Sequence, residues 1–312
     1  MKRTISIGMG MMALPFADAA GYWRWVDLCE QGGVDSIWQS DRLITREPVL
    51  ECLSVMAALA GRTRRLKFGM NVLSLALRDP VLVAKQCATI DYLSEGRLLP
   101  AFGLGSPRGA EWEALGIDTK TRGARMDEAL TVMSRLWRED GVDFDGRFFK
   151  LAGASISPKP VQKDIPLWIG GASDAAIRRT AKFGTGWQAG AEPLDEIARV
   201  ILAIRAALEV EGRHIDIDHY GAGLTFHIGS PDDPGLAEAF GRYEKLTGRD
   251  PRAMLTIGSA EDIIARIEQF IDAGVSKFVL RPALAGEEAM VAQTRLLVEQ
   301  VIPRVSGRRA AK

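Results

Sequence analysis

The residues best suited to chemistry in this chain form a short turn of small residues, Gly170-Gly171-Ala172-Ser173, between a predicted strand and a predicted helix. Backbone N–H groups at a helix start, together with the positive end of the helix dipole, favour a phosphate or another anion there. A second such turn, Gly103-Leu104-Gly105-Ser106, lets the backbone approach an anion or a flat ring closely. An ordinary connection without a ligand is the alternative at both turns. Arg178 and Arg179 either add charge at the first turn or are solvated surface residues.

Side chains typical of direct catalysis are few. The chain has three histidines, His214, His219 and His227, and neither an HxH nor an HExxH motif, which argues against a metal-dependent hydrolase. It has no GxSxG nucleophile elbow, and no lysine at the end of a predicted strand stands out as a Schiff-base former. We therefore expect a bound organic cofactor to carry the chemistry and expect no metal.

The composition argues against several classes of function. Forty basic and forty acidic residues cancel, so no basic field favours nucleic acid and no polybasic segment favours a membrane surface. Hydrophobic residues make up 47% of the 312 positions, enough for a sizeable core. The first residues superficially resemble a signal peptide, but their apolar run is short and no cleavage site follows, so we expect a strand there. Cys29, Cys52 and Cys87 fall on predicted helices and are expected to be core residues of a cytoplasmic protein.

Strand-like and helix-like patterns alternate through most of the chain. The eight predicted strands are Thr4–Gly8, Asp35–Ser40, Leu66–Val72, Arg97–Leu104, Pro166–Gly170, Gly186–Gly190, Tyr220–Ile228 and Lys277–Arg281. The predicted helices begin after Asp18 and at Ser173, lie near Ser259, and cover Pro48–Gly61, Asp79–Gly96, 123–138, 194–210 and Glu287–Val301. Eight strand–helix units in one chain of this length favour a closed (β/α)8 TIM barrel with insertions over a doubly wound open sheet. We expect one domain over 1–305 and a polar tail over 306–312.

In such a barrel the functional side chains lie at the carboxyl ends of the strands. This rule nominates Met9, Gly10, Asp41, Arg42, Asn71 to Ser74, Leu104 to Ser106, Gly170 to Ser173, Trp187 to Gly190, Phe226, His227 and Arg281. Two segments interrupt the alternation. Asp143–Gln162 is a predicted hairpin, and Ser230–Ile257 adds a predicted helix. Both would lie at barrel edges, where insertions build substrate pockets or subunit contacts.

Six segments, taken in order, resemble the bacterial luciferase-like family of flavin-dependent oxidoreductases and monooxygenases. They are DSIWQSD (Asp35–Asp41), RDPVLVAKQCATIDYLSEGRL (Arg78–Leu98), GLGSPRGAEWEALG (Gly103–Gly116), RGARMDEAL (Arg122–Leu130), SPKPVQ (Ser157–Gln162) and PLWIGGASDAAIRRTAKFGTGW (Pro166–Trp187). GSAEDIIARIEQFIDAGV (Gly258–Val275) is a looser match. The resemblance implies an eight-stranded barrel that holds FMN, or its deazaflavin analogue coenzyme F420, at the carboxyl end of the strands.

Carried over residue by residue, the resemblance places the cofactor phosphate on Gly170, Gly171 and Ala172. It also implies a non-proline cis peptide at Asn71-Val72 beneath the ring, where an ordinary trans strand end is the alternative. The full set of cofactor-binding residues that it implies is Asn71, Val72, Leu104, Gly105, Ser106, Glu111, Ile169, Gly170, Gly171, Ala172 and Ser173.

The candidate catalytic residues are Asp41, Arg42, Asn71, His227 and Arg281. Many members of the family end the second strand in Asp-His, whereas this chain has Asp41-Arg42, and arginine stays charged and cannot shuttle a proton. Arg42 is expected to stabilise negative charge on reduced flavin or to hold a substrate carboxylate, with Asp41 orienting it or forming a salt bridge. Asn71 or Ser74 would donate a hydrogen bond, His227 would act as acid or base, and Arg281 would clamp an anionic group. Ordinary polar residues of the barrel end are the alternative.

The function that the resemblance first implies is a luciferase-like monooxygenase that uses reduced FMN and O2 to oxidise a small organic substrate. A separate flavin reductase or NAD(P)H would supply the electrons, and Trp112, Trp187 and Phe226 would wall the pocket against water. One alternative is an F420-dependent oxidoreductase that transfers hydride, and another is a flavin-binding protein without turnover. A homodimer is implied, and neither nucleic acid nor a membrane is expected as a partner.

Overall fold

Eight parallel strands form the centre of the fold in the computed structural model, which describes residues 3–163, 165–190, 192–248, 250–251, 255–306 and 309–310. They are β1 (Ser6–Met11), β2 (Ser36–Gln39), β3 (Lys67–Met70), β4 (Leu98–Leu99 and Ala101–Gly103), β5 (Trp168–Gly170), β6 (Gly186–Gln188), β7 (Tyr220–Ile228) and β8 (Lys277–Pro282). Helices lie between successive strands, as the alternating sequence patterns predict.

The strands close into a ring. Each pairs in parallel with the next along the chain, and β8 pairs with β1. The first half of β4 pairs with β3 through Leu98 and Phe68, and its second half pairs with β5 through Ala101 and Trp168. Pro100, which has no N–H to give to a ladder, separates the two halves. The predicted closed (β/α)8 barrel is confirmed.

One helix of the repeating unit follows each strand. These helices are α1 (Ala19–Gln31), α2 (Cys52–Arg62), α3 (Pro80–Ser94), α4 (Arg122–Arg138), α5 (Asp174–Phe183), α6 (Leu194–Val210), α7 (Ala260–Asp272) and α8 (Glu287–Leu296). The predicted caps Asp18, Asp79 and Ser173 each accept a hydrogen bond from a backbone N–H of their helix. The helix predicted to start at Pro48 begins only after Glu51, because the Glu51 carboxylate caps it.

Some element ends differ from the prediction. β1 continues to Met11 instead of ending at Gly8, and the mixed glycine and methionine run hides this continuation because glycine is depleted from most strands. β3 ends at Met70, directly before the peptide bond between Asn71 and Val72. The last predicted helix is α-helical only to Leu296 and continues as a π-helical turn over Leu297–Val301. In the described part of the chain, no helix has both the length and the apolar character needed to cross a bilayer.

Two indole rings fill the lower half of the barrel. Trp38 and Trp168 meet edge to face, with ring centroids 6.1 Å apart. Glycines on neighbouring strands make room for them: a Cβ on Gly69 would lie 2.7 Å from Trp38, and one on Gly186 would lie 2.6 Å from Trp168. The two indole rings therefore require glycine at these inner positions. The layer of side chains nearer the carboxyl ends of the strands can then hold polar residues.

A buried ion pair closes the amino end of the barrel. The Lys277 ammonium donates to the Asp35 carboxylate, and Lys67 lies 3.6 Å from the other carboxylate oxygen. Burial alone would raise the pKa of Asp35, but the two lysines outweigh it and lower that pKa to about 2. Burial also lowers the pKa of Lys277. This end of the barrel is structural, since it lies opposite the end where barrel enzymes bind ligands.

The two predicted insertions form. Val142–Asp145 and Lys150–Ala154 pair as an antiparallel hairpin, and the Ser230–Ile257 segment contributes the helix Leu236–Thr247 and the strand Leu255–Gly258, which pairs with β7. In the predicted tail, positions 307, 308, 311 and 312 lie outside the described residues. Arg309–Ala310 pairs antiparallel with Arg3–Thr4.

Candidate functional site

A cavity of about 230 Å³ opens at the carboxyl ends of β1 to β4. It is lined by Met12, Ser40, Asp41, Arg42, Asn71, Val72, Ser74, Leu77, Gly105, Ser106, Glu111 and Trp112. The structure thus brings together two of the candidate catalytic segments, 41–42 and 71–72, with the predicted turn at 105–106. Met12, Ser40 and Leu77 are lining residues that sequence reasoning missed, because apolar and small side chains carry no chemical signal.

Asp41 is held in a network that the sequence did not predict. Its carboxylate accepts two hydrogen bonds from the Arg78 guanidinium, at 2.7 and 2.8 Å, and one from the Ser74 backbone N–H at 2.8 Å. The Asp41 side chain is 2% exposed and that of Arg78 is 12% exposed. Burial acts to lower the pKa of Arg78, but its bonds to Asp41 raise that pKa overall. The expected Asp41–Arg42 pair is therefore wrong: Asp41 positions the loop through Arg78 and Ser74.

Arg42 pairs with another carboxylate. Its Nε lies 3.2 Å from Glu111 Oε1, and the Arg42 side chain is 45% exposed while that of Glu111 is 7% exposed. Gly109 allows this arrangement, since a Cβ there would lie 2.2 Å from Glu111 Oε2. Both partners line the cavity. Arg42 thus presents a fixed positive charge at the cavity rim, and Glu111 orients that charge.

The peptide bond Asn71-Val72 is cis, which confirms the prediction made from the family resemblance. The Asn71 N–H donates to the Gln39 carbonyl, which ties this turn to the end of β2. Val72 lies over two glycines: a Cβ on Gly103 would lie 2.5 Å from the valine, and one on Gly170 would lie 3.0 Å from it. Val72 therefore fills the centre of the barrel end between β4 and β5, where it forms the floor of the cavity.

The turn after β4 also needs glycine. Gly105 has φ +70°, and a Cβ there would lie 2.5 Å from Ser74 Oγ. The Trp112 indole N–H donates to the Ser106 carbonyl at 2.7 Å and so holds the turn against the short helix Glu111–Ala114. Trp112 lines the cavity as predicted. The turn places Gly105 and Ser106 at the cavity edge.

The turn between β5 and α5 contains a glycine with positive φ and three backbone N–H groups without an acceptor among the described residues. Gly171 has φ +106°, a conformation that favours glycine, and its carbonyl accepts a 2.9 Å hydrogen bond from the Trp187 indole. Among the described residues, no acceptor takes a hydrogen bond from the N–H of Gly171, Ala172 or Ser173. Ser173 uses its hydroxyl to cap α5. The three N–H groups are thus available beside the start of a helix.

Several nominated side chains lie elsewhere. Arg179 is buried and paired with Asp127, at 2.5 Å, so the solvated-surface reading is wrong for it, whereas Arg178 is exposed. Ile169 and Phe226 are fully buried in the core between strands and helices, so Phe226 does not wall the cavity. Trp187 belongs to the same core, and its contribution to the site is the bond to Gly171.

His227 and Arg281 lie on β7 and β8 and are not among the residues that line the cavity. The His227 Nε2 lies 2.7 Å from an Asp233 oxygen, and its buried Nδ1 has no partner among the described residues. Since that Asp233 oxygen also accepts from the Ser230 N–H, the dyad anchors the start of the insertion. Arg281 faces the barrel interior beside Gly10.

Two groups of side chains have the spacing of metal ligands. Asp41, Glu51 and Cys52 form one, and Asp216, Asp218 and His219 form the other. Arg78 already occupies the first group with two hydrogen bonds to Asp41 and one to Glu51. Burial raises the pKa of the Cys52 thiol, so it is not a thiolate at neutral pH.

The fold and the site at its carboxyl end define a barrel that binds a ligand at the mouth, and comparison with known proteins gives its family. The model of the luciferase-like monooxygenase family matches residues 7–245. The chain belongs to this family, and the resemblance seen in the sequence is confirmed. Proteins similar to this chain include an F420-dependent dehydrogenase, a monooxygenase and a monooxygenase in complex with FMN.

Two relatives were found by sequence and one by structure. An uncharacterised protein of Mycobacterium tuberculosis is 35% identical over 168 residues, a match that covers 54% of this chain and 57% of the relative. An F420-dependent glucose-6-phosphate dehydrogenase of Amycolatopsis mediterranei is 24% identical, with 88% of this chain and 91% of the relative covered. The monooxygenase RslO1 of Streptomyces bottropensis has a similar structure, with a TM-score of 0.81, 18% identity, and 96% and 99% of the two chains covered. The structural match supports the barrel fold only.

Proposed function

We propose that this chain is an FMN-dependent oxidoreductase of the monooxygenase type, which oxidises a small organic substrate with O2. The observation that carries the proposal is the pairing of every ionisable group in the cavity. Asp41 is bonded to Arg78, and Arg42 is paired with Glu111. Dehydrogenation of an alcohol needs a base to take the hydroxyl proton. Since the described lining holds no free base, chemistry in which oxygen is the reactant fits the site better.

The cofactor fits the chain at two places. The β5–α5 turn offers the N–H groups of Gly171, Ala172 and Ser173 to a phosphate, and the cavity above Val72 accepts the edge of a flat ring. Bound reduced FMN supplies the electrons that activate oxygen. Arg42 offsets negative charge on the reduced ring. Val72, Leu77 and Trp112 exclude water from the reacting centre.

Hydride transfer by F420 is the second candidate. It is favoured by the F420-dependent glucose-6-phosphate dehydrogenases among the relatives. A flavin-binding protein without turnover is the third. FMN and F420 both carry a tricyclic ring and a phosphate, so the β5–α5 turn suits either one.

Paired titrations of the apoprotein with FMN and with F420, followed by fluorescence, test the choice of cofactor. Selective FMN binding, together with substrate-dependent oxygen uptake when reduced FMN is supplied, is the expected result. Selective F420 binding contradicts the FMN proposal, and tight binding with no substrate oxidised supports the third candidate. In Ala172→Asp, a carboxylate at the turn should weaken binding of either cofactor at least tenfold by repelling the phosphate. Ala237→Asp, at an exposed position of the insertion helix, is the matched control.

We further propose that the protein is a cytoplasmic homodimer that receives electrons from a flavin reductase or NAD(P)H. The dimer is supported by α3, where Leu82, Tyr92 and Leu93 are 58%, 55% and 59% exposed. A contact with a second copy of the chain would cover these apolar side chains. A cytoplasmic location is supported by three free, buried cysteines.

A further inference from the structure

Arg281 is a charged residue of the barrel interior that the cavity described above does not use. It lies on β8, opposite Thr225 of β7, on the same strand face as Val279. Its aliphatic stem passes Gly10 of β1, where a Cβ would lie 2.9 Å from the arginine Cγ. Gly10 precedes Met12 of the cavity by two residues, about 7 Å along the strand. The stem of Arg281 therefore lies beside β1, two residues from the cavity lining.

The barrel is built to admit this side chain. On the other side of β8, a Cβ on Gly223 of β7 would lie 3.2 Å from Arg281 Nη2 and 3.8 Å from Cζ. Glycine on both neighbouring strands thus leaves a slot for one long side chain. A methyl group on Gly10 would collide with the stem, and one on Gly223 would press on the charged head.

Three other arginines of low exposure in this protein are satisfied. Arg78 and Arg179 are paired with aspartates, and Arg97 donates to backbone carbonyls of 60, 63, 66 and 94. In contrast, the buried Nε of Arg281 has no partner among the described residues. Burial lowers the pKa of Arg281, and among the described residues Tyr243 is the titratable group that acts against this shift. A guanidinium stays charged at neutral pH. No carboxylate of a described residue is recorded as acting on this charge.

We propose that Arg281 binds the carboxylate of an organic acid, which makes the substrate an organic anion. That this anion is a substrate rests on the proposed function, whereas the anion site itself does not. A carboxylate suits Arg281 because the guanidinium carries a single positive charge and can bind both carboxylate oxygens. The cofactor phosphate is expected elsewhere, since β6 and β7 separate β8 from the β5–α5 turn.

Thermal unfolding of the full-length apoprotein tests the site without any cofactor. Sodium benzoate, compared with sodium chloride at equal ionic strength, should raise the unfolding temperature of the wild type. In Arg281→Gln the benzoate dissociation constant should rise at least about tenfold, and Arg281→Lys should retain part of the affinity. Arg199→Gln on α6, whose side chain is 61% exposed, is the control that should match the wild type.

A second variant keeps the proposal testable if Arg281→Gln does not fold. Gly223→Ala keeps the charge but displaces the guanidinium, so it should weaken benzoate binding in the same direction. Inorganic phosphate should bind at the β5–α5 turn, and its effect should persist in Arg281→Gln and be lost in Ala172→Asp.

Two results would overturn the assignment. One is equal benzoate affinity in the wild type and in Arg281→Gln. The other is loss of phosphate and of FMN or F420 binding in Arg281→Gln, which would make Arg281 a cofactor residue. If the wild type binds benzoate through Arg281 but binds no cofactor, the proposed function fails and the anion site stands.

Discussion

Replacing Asp41 by asparagine tests whether Asp41 positions the loop through Arg78 and Ser74 or takes part in the reaction. The substitution keeps an oxygen to accept the Ser74 N–H but removes the charge that Arg78 faces at 2.7 Å. Breaking a buried ion pair by removing one partner costs about 3–5 kcal/mol, because the other charge is left uncompensated. Glu51, 3.3 Å from Arg78, still offers a carboxylate. We therefore expect a loss at the low end, about 3 kcal/mol.

The assay is urea denaturation followed by tryptophan fluorescence, with cofactor affinity measured on the folded variant. In a thermal melt of the same variant, a loss of about 3 kcal/mol should lower the melting temperature by roughly 6–12 °C. Asp27→Asn is the matched control, because its pair with Arg62 is exposed and should contribute less than about 1 kcal/mol. The double variant Asp41→Asn/Arg78→Met should recover much of the loss, since it removes both charges.

Wild-type stability in Asp41→Asn, together with loss of turnover, would refute this reasoning and return Asp41 to the reacting groups. Additive losses in the double variant would equally show that Asp41 and Arg78 are not coupled. The expected pattern is instead reduced stability and a cofactor affinity that falls only as far as the loop at Ser74 is displaced.

Two further predictions concern stability. The pKa of Asp35 is lowered from 3.8 to about 2, so its contribution, about 2 kcal/mol, is present above about pH 4 and lost as the pH falls toward 2. The urea midpoint should drop over this range, and in Asp35→Asn, which leaves Lys277 unpaired, it should start lower and change less; an unchanged slope would contradict the assignment. Gly61→Ala in α2 should raise the free energy of unfolding by about 0.5–1 kcal/mol, because a Cβ there meets nothing within 4 Å. A destabilised Gly61→Ala would show that the helix end needs glycine.

Much of the fold could be read from the sequence because local signals are strong in an α/β barrel. Asp79 followed by Pro80, and Ser173 after a glycine pair, mark helix starts through hydrogen bonds to nearby N–H groups. β7 was located with its observed bounds, Tyr220–Ile228. The end of β1 was missed, because glycine alternates with methionine there and both faces are buried, so the strand lacks the polar and apolar alternation of a half-buried strand.

The candidate site was predicted less completely. Glycine turns and the cis peptide at Asn71-Val72 were found because the family resemblance marks them. The partners of charged residues were not found. Asp41 pairs with Arg78, 37 positions away, and Arg42 pairs with Glu111, although Asp41 and Arg42 are adjacent in sequence.

The sequence by itself determined the order of strands and helices, the caps and the small residues that allow close backbone approach, since each depends on neighbours within a few positions. Only the tertiary structure decided which charged side chains form ion pairs with one another. Closing the ring brings β8 beside β1, which places Arg281 against Gly10, 271 positions away in sequence. Ion pairing depends on distances between side chains, and these are set by the closed barrel.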